Sequence, residues 1–365
     1  MKKIFLCDLT HTTQGNVSEF IPYGIGCIKA YFYKFALCRE EVDIQIFKFP
    51  NLFVESLLRD KPDVVAFSNY VWNIDLSYSF AKEIKNLFPN VLIIFGGPNY
   101  PLEDNLREKW LKHYKSIDLY IVGEGEKTFQ EVIDTWYKSK DIEQVKCSKI
   151  DGLHSIVKGK FYKSNDIIPR LDNLDLIPSP YLSGYFDKFL EDENIIPLTE
   201  TNRGCPFTCT YCERGSKHWM KISKRSVANF SKEIEYIATR CKNKVLQIAD
   251  SNFGIYSQDI DISKQLSILK DKYNYPLRIS VSTGKNVDDK IITCASILRG
   301  SLPVTASVQS LDPTVLKNVK RKNISTNKLF KIAKSANSSF SATRSEIILA
   351  LPGDTKKNIL KQYQK

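Results

Sequence analysis

The sequence predicts an α/β chain in two parts: a doubly wound, Rossmann-like parallel sheet, then a parallel barrel built from repeated βα units. Three observations predict it. In the first half, short and nearly continuous apolar runs alternate with segments of helical spacing, the pattern of a parallel sheet covered on both faces. The second half repeats a strand and a helix every ~30 residues, the unit of a parallel barrel. Between them, "RLDNLDLIPSPYLSGYF" has low periodicity and is stiffened by Pro178 and Pro180, as a linker would be.

In the first part, "KKIFL" reads as a short buried strand. "YGIGCIKAYFYKFAL" follows with Ile25, Ile28, Tyr31, Phe32 and Phe35 along one helical side. "VDIQIF" alternates as a strand, and "DVVAFS" is a β-branched run with a helix over about 75–88 behind it. "VLIIFGG" and "IDLYIVGEGE" supply the next two strands. The loops after these strands are "CDLTHTTQG", "SNYVWN", "GGPNYP" and "VGEGE". Ligands of an open parallel sheet sit at such carboxyl ends. Gly96, Gly97, Gly123 and Gly125 let backbone approach a ligand closely, or they only make tight turns. "DGLHSIVKGKFYKS" then reads as a hairpin with Lys158-Gly159 at its turn.

In the second part, strands are expected near 196–200, 245–249, 277–282, 304–309 and 345–350. Helices are expected near 226–240, 258–271 and 287–298, with helical segments up to about 335. The resulting domains are 1–150 for the sheet, 151–190 for hairpin and linker, and 191–365 for the barrel. A final helix starts in "LPGDTKKNILKQYQK" with Asp354 or Thr355 as its cap.

Composition bounds the function. At 365 residues, 42% hydrophobic and 26% charged, the chain has room for two domains. It has no apolar run of about 18 residues, so no membrane partner is expected. The start "MKKIFLCDLTHTTQG" is too briefly apolar for a secretion signal. Net charge is +12, but no basic run is interleaved with aromatics, and that weighs against nucleic acid. Nine scattered cysteines fit a reducing, cytoplasmic setting better than a disulfide scaffold.

Three of those cysteines, Cys205, Cys209 and Cys212, gather in "RGCPFTCTYCERG". The next two, Cys241 and Cys294, form no second pair, and Cys7, Cys27, Cys38 and Cys147 are isolated. A structural zinc site supplies four ligands. Cys-x3-Cys-x2-Cys on a tight loop can instead wrap three corners of an iron–sulfur cubane, leaving one iron open to a substrate or cofactor. Zinc, or three buried thiols without metal, are the other readings of the motif. The loop follows the first strand of the barrel, where barrels carry their chemistry.

"CPFTCTYC" resembles the CxxxCxΦC signature of the radical S-adenosylmethionine (radical SAM) family, with Tyr211 as the aromatic. "ADSNFGI", "SVSTGKN", "ASVQSLDPTVLKNVKRKNIS" and "EIILALPGDT" resemble that family's later strand ends. The resemblance implies a partial (β/α)6 barrel, and a [4Fe–4S] cluster on Cys205, Cys209 and Cys212. It implies S-adenosylmethionine beside Tyr211, Asp250, Asn252, Ser282, Gln309 and Ser310. Asp250, Ser251 and Asn252 could equally cap a helix. The first half resembles the cobalamin (B12)-binding domain that often precedes this barrel, in "IPYGIGCIKAYF", "DVVAFSNYVWN", "FGGPNYP", "DLYIVGEGEKTF" and "DLIPSPYL". Its implied cobalamin contacts are Ser68, Asn69, Tyr70, Gly96, Gly97, Pro98, Gly123, Glu124 and Gly125. The DxHxxG motif of cobalt-ligating domains is out of spacing here, with Asp8, His11 and Gly15 in its place. His11 is therefore read as a solvent-facing loop residue rather than a cobalt ligand.

The implied chemistry is reductive cleavage of S-adenosylmethionine to a 5′-deoxyadenosyl radical. Hydrogen abstraction and methyl transfer from cobalamin to a small-molecule or natural-product substrate, or a rearrangement, then follow. The cofactors carry the hard steps, so no residue beyond the cluster is required as a catalytic acid or base. An electron donor such as flavodoxin or ferredoxin is the implied partner. The resemblance implies a sixth strand and helix, so the chain, which stops after its fifth strand with an open sheet edge, is expected to be C-terminally incomplete. A short barrel with its edge shielded by the first domain or a partner is the other reading. A radical enzyme with a non-functional cobalamin domain, and a truncated, inactive iron–sulfur or cobalamin-binding protein, are the alternatives.

Overall fold

The structure is a computed structural model that describes residues 1–363 apart from 14, 16–17, 165–168, 284–288, 306 and 324–342. It divides into two compact units, one formed by 1–171 with 176–186 and the other by 172–175 with 187–365.

The first unit holds β1 (Lys2–Cys7), α1 (Tyr23–Phe35), β2 (Val42–Phe47), α2 (Pro50–Asp60), β3 (Val64–Ser68) and α3 (Ile74–Leu87). It continues with β4 (Leu92–Gly96), α4 (Asp104–His113), β5 (Leu119–Ile121), α5 (Gly125–Ser139), α6 (Ile142–Lys146), β6 (Leu153–Val157) and β7 (Lys160–Lys163). Its sheet has the order β2-β1-β3-β4-β5-β6-β7. The first five strands run parallel, with Ile4 opposite both Ile44 and Val64, and Val65 opposite Ile93. Order reverses at β1, so the loops after β1 and β3 flank the switch point where such sheets take ligands. β6 and β7 extend the sheet antiparallel, with Tyr120 opposite His154. Lys158 and Gly159 take φ of 47° and 78° at the hairpin turn, the left-handed pair that a two-residue turn requires.

Burial explains the strand pattern. β3 is buried over Val64–Phe67 and β4 over Leu92–Phe95, so neither needs to alternate. Phe5, Phe53, Phe67, Phe95 and Tyr120 sit at the centre of one core, and burial of each such side chain contributes roughly 1.5–3 kcal/mol. α1 buries Ile25, Tyr31 and Phe32 as the spacing predicts, but its face rolls toward Cys27 and Ala30, and Phe35 is left exposed.

The second unit begins with α7 (Asp187–Leu190), β8 (Leu198–Thr199), β9 (Asn202–Arg203), β10 (Ser223–Lys224) and α8 (Val227–Ala238). β11 (Val245–Ile248), α9 (Ser257–Tyr273), β12 (Arg278–Ser280) and α10 (Asp289–Ile297) follow. β13 (Val304–Thr305), α11 (Pro313–Asn318), β14 (Thr343–Arg344) and a last helix over Lys356–Tyr363 complete it. Parallel β12-β11-β8 form one sheet, and parallel β13-β14 another. The expected barrel order is thus present in sequence, but the described strands do not close into one continuous sheet.

The fifth strand differs from its expected range of 345–350. Paired backbone lies at Thr343–Arg344 and at a bridge from Gln309 to Ile347. Ala350 then turns at φ 59° and Gly353 at φ 86°, so the apolar run "IILAL" leaves the sheet early. Of the helical segments expected up to about 335, α11 is described, and residues 324–335 lie outside the described ones. The last helix is capped as expected by Thr355, whose Oγ1 accepts from the Asn358 amide at 3.2 Å.

Candidate functional site

The cysteine loop is fixed from below by one carboxylate. Asp250, at the end of β11, accepts from the Thr201 amide at 2.8 Å, the Asn202 amide at 3.2 Å and Asn202 Nδ2 at 2.6 Å. The Thr201 hydroxyl also donates to it. Burial pushes the Asp250 carboxyl up to about 7, against the pull of these donors. Asp250 therefore binds the chain that leads into Cys205 to the neighbouring strand. It serves the protein's own backbone. Beside it, Arg203 grips Glu200 through two nitrogens, at 2.8 and 2.7 Å. Burial alone would raise Glu200, but the Arg203 charge, backed by Arg225 and Arg214, holds it below the usual carboxylate range.

The loop itself folds on backbone contacts. The Cys205 amide donates to the Trp219 carbonyl at 2.8 Å, the Cys212 amide to Cys209 at 3.2 Å and the Gly215 amide to Cys212 at 2.9 Å. A Cβ on Gly215 would lie 2.1 Å from the Cys209 carbonyl oxygen, so this turn excludes every other residue. The Thr210 amide donates to the Val319 carbonyl at 3.1 Å, which pins the loop to the end of α11. Cys209 is buried, Cys205 half-buried and Cys212 exposed.

Around the loop, Tyr211 packs on Val315, Val319 and Leu351, and burial pushes its hydroxyl up to about 12. Arg321 donates to that hydroxyl, to the Ser307 carbonyl and to Asn323 Oδ1. Asn323 in turn donates to the carbonyls of Val308 and Ser310, at 2.8 and 2.7 Å. The fourth strand's end, with Gln309 and Ser310, is thereby tied to the cysteine loop. Gln309 takes φ 62°, with its Oε1 buried and unpartnered, and Ser310 Oγ accepts from the Asp312 amide at 3.2 Å. Asn252 points Nδ2 at Cys205 Sγ, 3.2 Å away. Ser282 is exposed, and its carbonyl accepts from the Phe253 amide at 2.9 Å.

Among the described residues no group of three or more His, Cys, Asp or Glu side chains stands close enough for a single metal ion. A cubane makes no such demand, because it spreads three thiolates over separate irons. The neighbouring cysteines are engaged elsewhere: Cys241 donates its thiol to the Asn243 carbonyl at 3.2 Å, and Cys294 is buried in α10.

In the first unit, Ser68 donates to Asp8, and Asn73 Nδ2 donates to Ser68 at 3.1 Å. Burial raises Asp8 and lowers Lys48, whose ammonium lies buried without a hydrogen-bond partner. Asn69 is fully buried and donates to the Asn99 carbonyl at 2.6 Å and to the Tyr120 hydroxyl at 3.0 Å. Tyr70 stacks on Trp72 with ring centroids 4.5 Å apart. Gly97 takes φ 137°, and a Cβ there would lie 2.6 Å from the Asn69 carbonyl oxygen. Its neighbours Gly96 and Pro98 complete that β4–α4 turn, and Gly123 and Gly125 flank Glu124 between β5 and α5. Glu124 accepts from Arg170 Nε at 3.1 Å and from the Leu171 amide at 2.7 Å. His11 is partly exposed in the loop after β1.

Sequence reading missed Arg321, Asn323, Thr201, Asn202 and Gly215. "VKRKN" reads as a solvated charge run, and nothing marks Arg321 as its buried member. Gly215, the glycine three residues past the last cysteine, was the available signal.

The B12 binding domain family matches residues 17–133, and the radical SAM superfamily matches residues 199–364. The cobalamin-dependent radical SAM methyltransferase TokK of Streptomyces tokunonensis is 30% identical, over 94% of this chain and 50% of its own length. The 2-(S-pantetheinyl)-carbapenam-3-carboxylate methyltransferase of Streptantibioticus cattleyicolor is 28% identical, over 92% of this chain and 50% of its own length. The chain thus spans about half the length of the curated relatives it matches. Among solved structures, the radical S-adenosylmethionine methyltransferase TsrM of Kitasatospora setae, solved with cobalamin and a [4Fe–4S] cluster bound, superposes with a TM-score of 0.73 at 13% identity. That match covers 100% of this chain and 73% of TsrM. The cobalamin-dependent enzyme OxsB superposes at 0.70 with 16% identity, over 96% of this chain and 49% of OxsB. These likenesses carry the fold. The chain thus matches a B12-binding domain in its first half and a radical SAM domain in its second.

Proposed function

We propose that the chain belongs to a cobalamin-dependent radical SAM methyltransferase that acts on a small-molecule or natural-product substrate. The observation that carries this is the Cys205–Cys212 loop. Three thiols stand on one strand end, the backbone is locked by Gly215 and Asp250, and Asn252 faces Cys205. Cys205, Cys209 and Cys212 would hold a [4Fe–4S] cluster and leave its fourth iron to S-adenosylmethionine. When bound, these groups and cobalamin supply the electron, the radical and the methyl group. This chain's residues do the rest. Tyr211 and Arg321 hold the cysteine loop against the end of the fourth strand, Asp250 fixes the entry to the loop, and buried Cys209 limits water at one corner.

The switch-point loops after β1 and β3 are the region we assign to cobalamin, with the stacked Tyr70 and exposed Trp72 at the loop surface and Ser68 bonded inward to Asp8 and Asn73. Asn69, in the loop after β3, is packed from behind by Gly97 of the β4–α4 turn, and Glu124 after β5 holds Arg170 and Leu171, so the contacts of all three are internal. That internal use also favours a second reading, in which the domain holds no corrin. The electron donor fits a small redox protein such as flavodoxin or ferredoxin in a reducing, cytoplasmic setting, consistent with nine cysteines present as thiols. No described helix is long and apolar enough to cross a membrane.

Anaerobic purification with iron and sulfide analysis tests the proposal. Replacement of any one of the three cysteines by Ala should abolish the brown chromophore and S-adenosylmethionine cleavage. Full iron in the triple Ala variant would sink it. Corrin absorbance after incubation with hydroxocobalamin decides between the two readings of the first unit.

A further inference from the structure

We infer that Asn252 is a positioning residue that sets the reduction potential of the cluster through Cys205, rather than a contact of S-adenosylmethionine. The inference rests on the proposed iron–sulfur reading. Asn252 sits in the turn after β11 and is 5% exposed. Its backbone is held on both sides. Two residues earlier, Asp250 is locked to Thr201 and Asn202; one residue later, the Phe253 amide donates to the Ser282 carbonyl at 2.9 Å. Phe253 is itself fully buried. An amide nitrogen aimed from such a rigid turn at Cys205 Sγ, at 3.2 Å, has little freedom to turn toward another partner.

The chemistry follows from the charge on sulfur. Hydrogen bonds to cluster sulfurs and solvent exposure set the potential of an iron–sulfur centre. A donor stabilises the reduced cluster more than the oxidised one, because the reduced cluster carries one more electron and spreads it onto its thiolates. Loss of the Asn252 amide should therefore make the cluster harder to reduce. A tenfold loss in the one-electron reduction equilibrium corresponds to ~59 mV, and a change on that order is expected. Since Asn252 is 5% exposed, water replaces the amide poorly.

The test uses the full chain, reconstituted anaerobically and titrated with dithionite in the absence of S-adenosylmethionine, with the reduced cluster read by electron paramagnetic resonance. Asn252→Leu keeps the side-chain shape and removes the donor, and Asn252→Ser removes the reaching amide with less steric risk. Both should load iron and show a more negative midpoint than the unsubstituted chain, with S-adenosylmethionine affinity by calorimetry nearly unchanged. An unchanged midpoint in both variants overturns the inference, whether or not affinity falls. Loss of iron from both variants while the unsubstituted chain stays loaded also overturns it, since Asn252 would then build the loop rather than tune it. An unsubstituted chain that takes up no iron overturns the functional proposal and this inference with it.

Discussion

Arg321 Nη1 donates to the hydroxyl of Tyr211 at 2.9 Å, joining the residue before Cys212 to the segment after α11. Arg321 is 7% exposed, so water does not substitute when the acceptor is removed. Tyr211→Phe keeps the ring against Val315, Val319 and Leu351 but deletes a hydrogen bond to a charged group, worth roughly 1.5–3 kcal/mol. Urea unfolding should show a loss of that order. Arg321→Ala should cost more, because Ser307, Asn323 and Tyr211 all lose their donor.

Gly215 gives the sharpest sterical test of the loop. With a Cβ placed 2.1 Å from a backbone oxygen, Gly215→Ala must open the turn that sets Cys209 beside Cys212. Iron per chain after reconstitution should fall toward that of the triple Cys→Ala variant, while far-ultraviolet circular dichroism stays near that of the parent. Retention of full iron would mean the loop can reshape around a cluster at little cost.

Gly97 separates folding from ligand binding in the first unit. Its φ of 137° and the 2.6 Å approach of Asn69 make Gly97→Ala strained by about 1–3 kcal/mol. The melting temperature of corrin-free protein should drop. A variant that melts normally but fails to bind hydroxocobalamin would place the corrin against this glycine instead.

Much of this was legible in the sequence. Strands β3 and β4 announced themselves as near-continuous apolar runs because both faces are buried, β2 announced itself by its alternation, and Gly159 marked the hairpin turn that it shares with Lys158. Cys205, Cys209 and Cys212 were legible from spacing alone. What was hidden depends on contacts distant in sequence. Asp250 meets Thr201 across 49 residues, and Arg321 meets Tyr211 across 110. No periodicity encodes such pairs. Position 97 shows the same limit: a glycine that reads as room for a ligand is filled by Asn69.

Asp250 should make stability depend on pH. Burial raises its folded-state pKa to about 7, above the unfolded value of ~3.9. A raised carboxyl binds its proton more tightly when folded. Its stabilising contribution is therefore full below about pH 4 and is lost as pH rises through about 7. Asp250→Asn removes this component while keeping the shape. The difference in unfolding free energy between parent and variant, measured from pH 4 to 8, should shift steadily against the parent. A flat difference would mean that the four donors around Asp250 keep it ionised throughout.

Arg225 and Glu233 form the most buried ion pair described, 3.4 Å apart with side chains 1% and 0% exposed. Glu233 also accepts from the Thr199 hydroxyl, so the pair links α8 to β8, the strand that leads into the cysteine loop. Removing one partner strands a charge in a dry site, which costs about 3–5 kcal/mol. Glu233→Ala should destabilise the chain by that amount and lower iron retention indirectly. Replacing both charges with apolar groups of similar volume, as in Arg225→Met with Glu233→Leu, removes the stranded charge and is often close to neutral. The double variant should therefore be more stable than Glu233→Ala, and the thermodynamic cycle through the single variants should show strong coupling. Additive losses in that cycle would show that water reaches the pair.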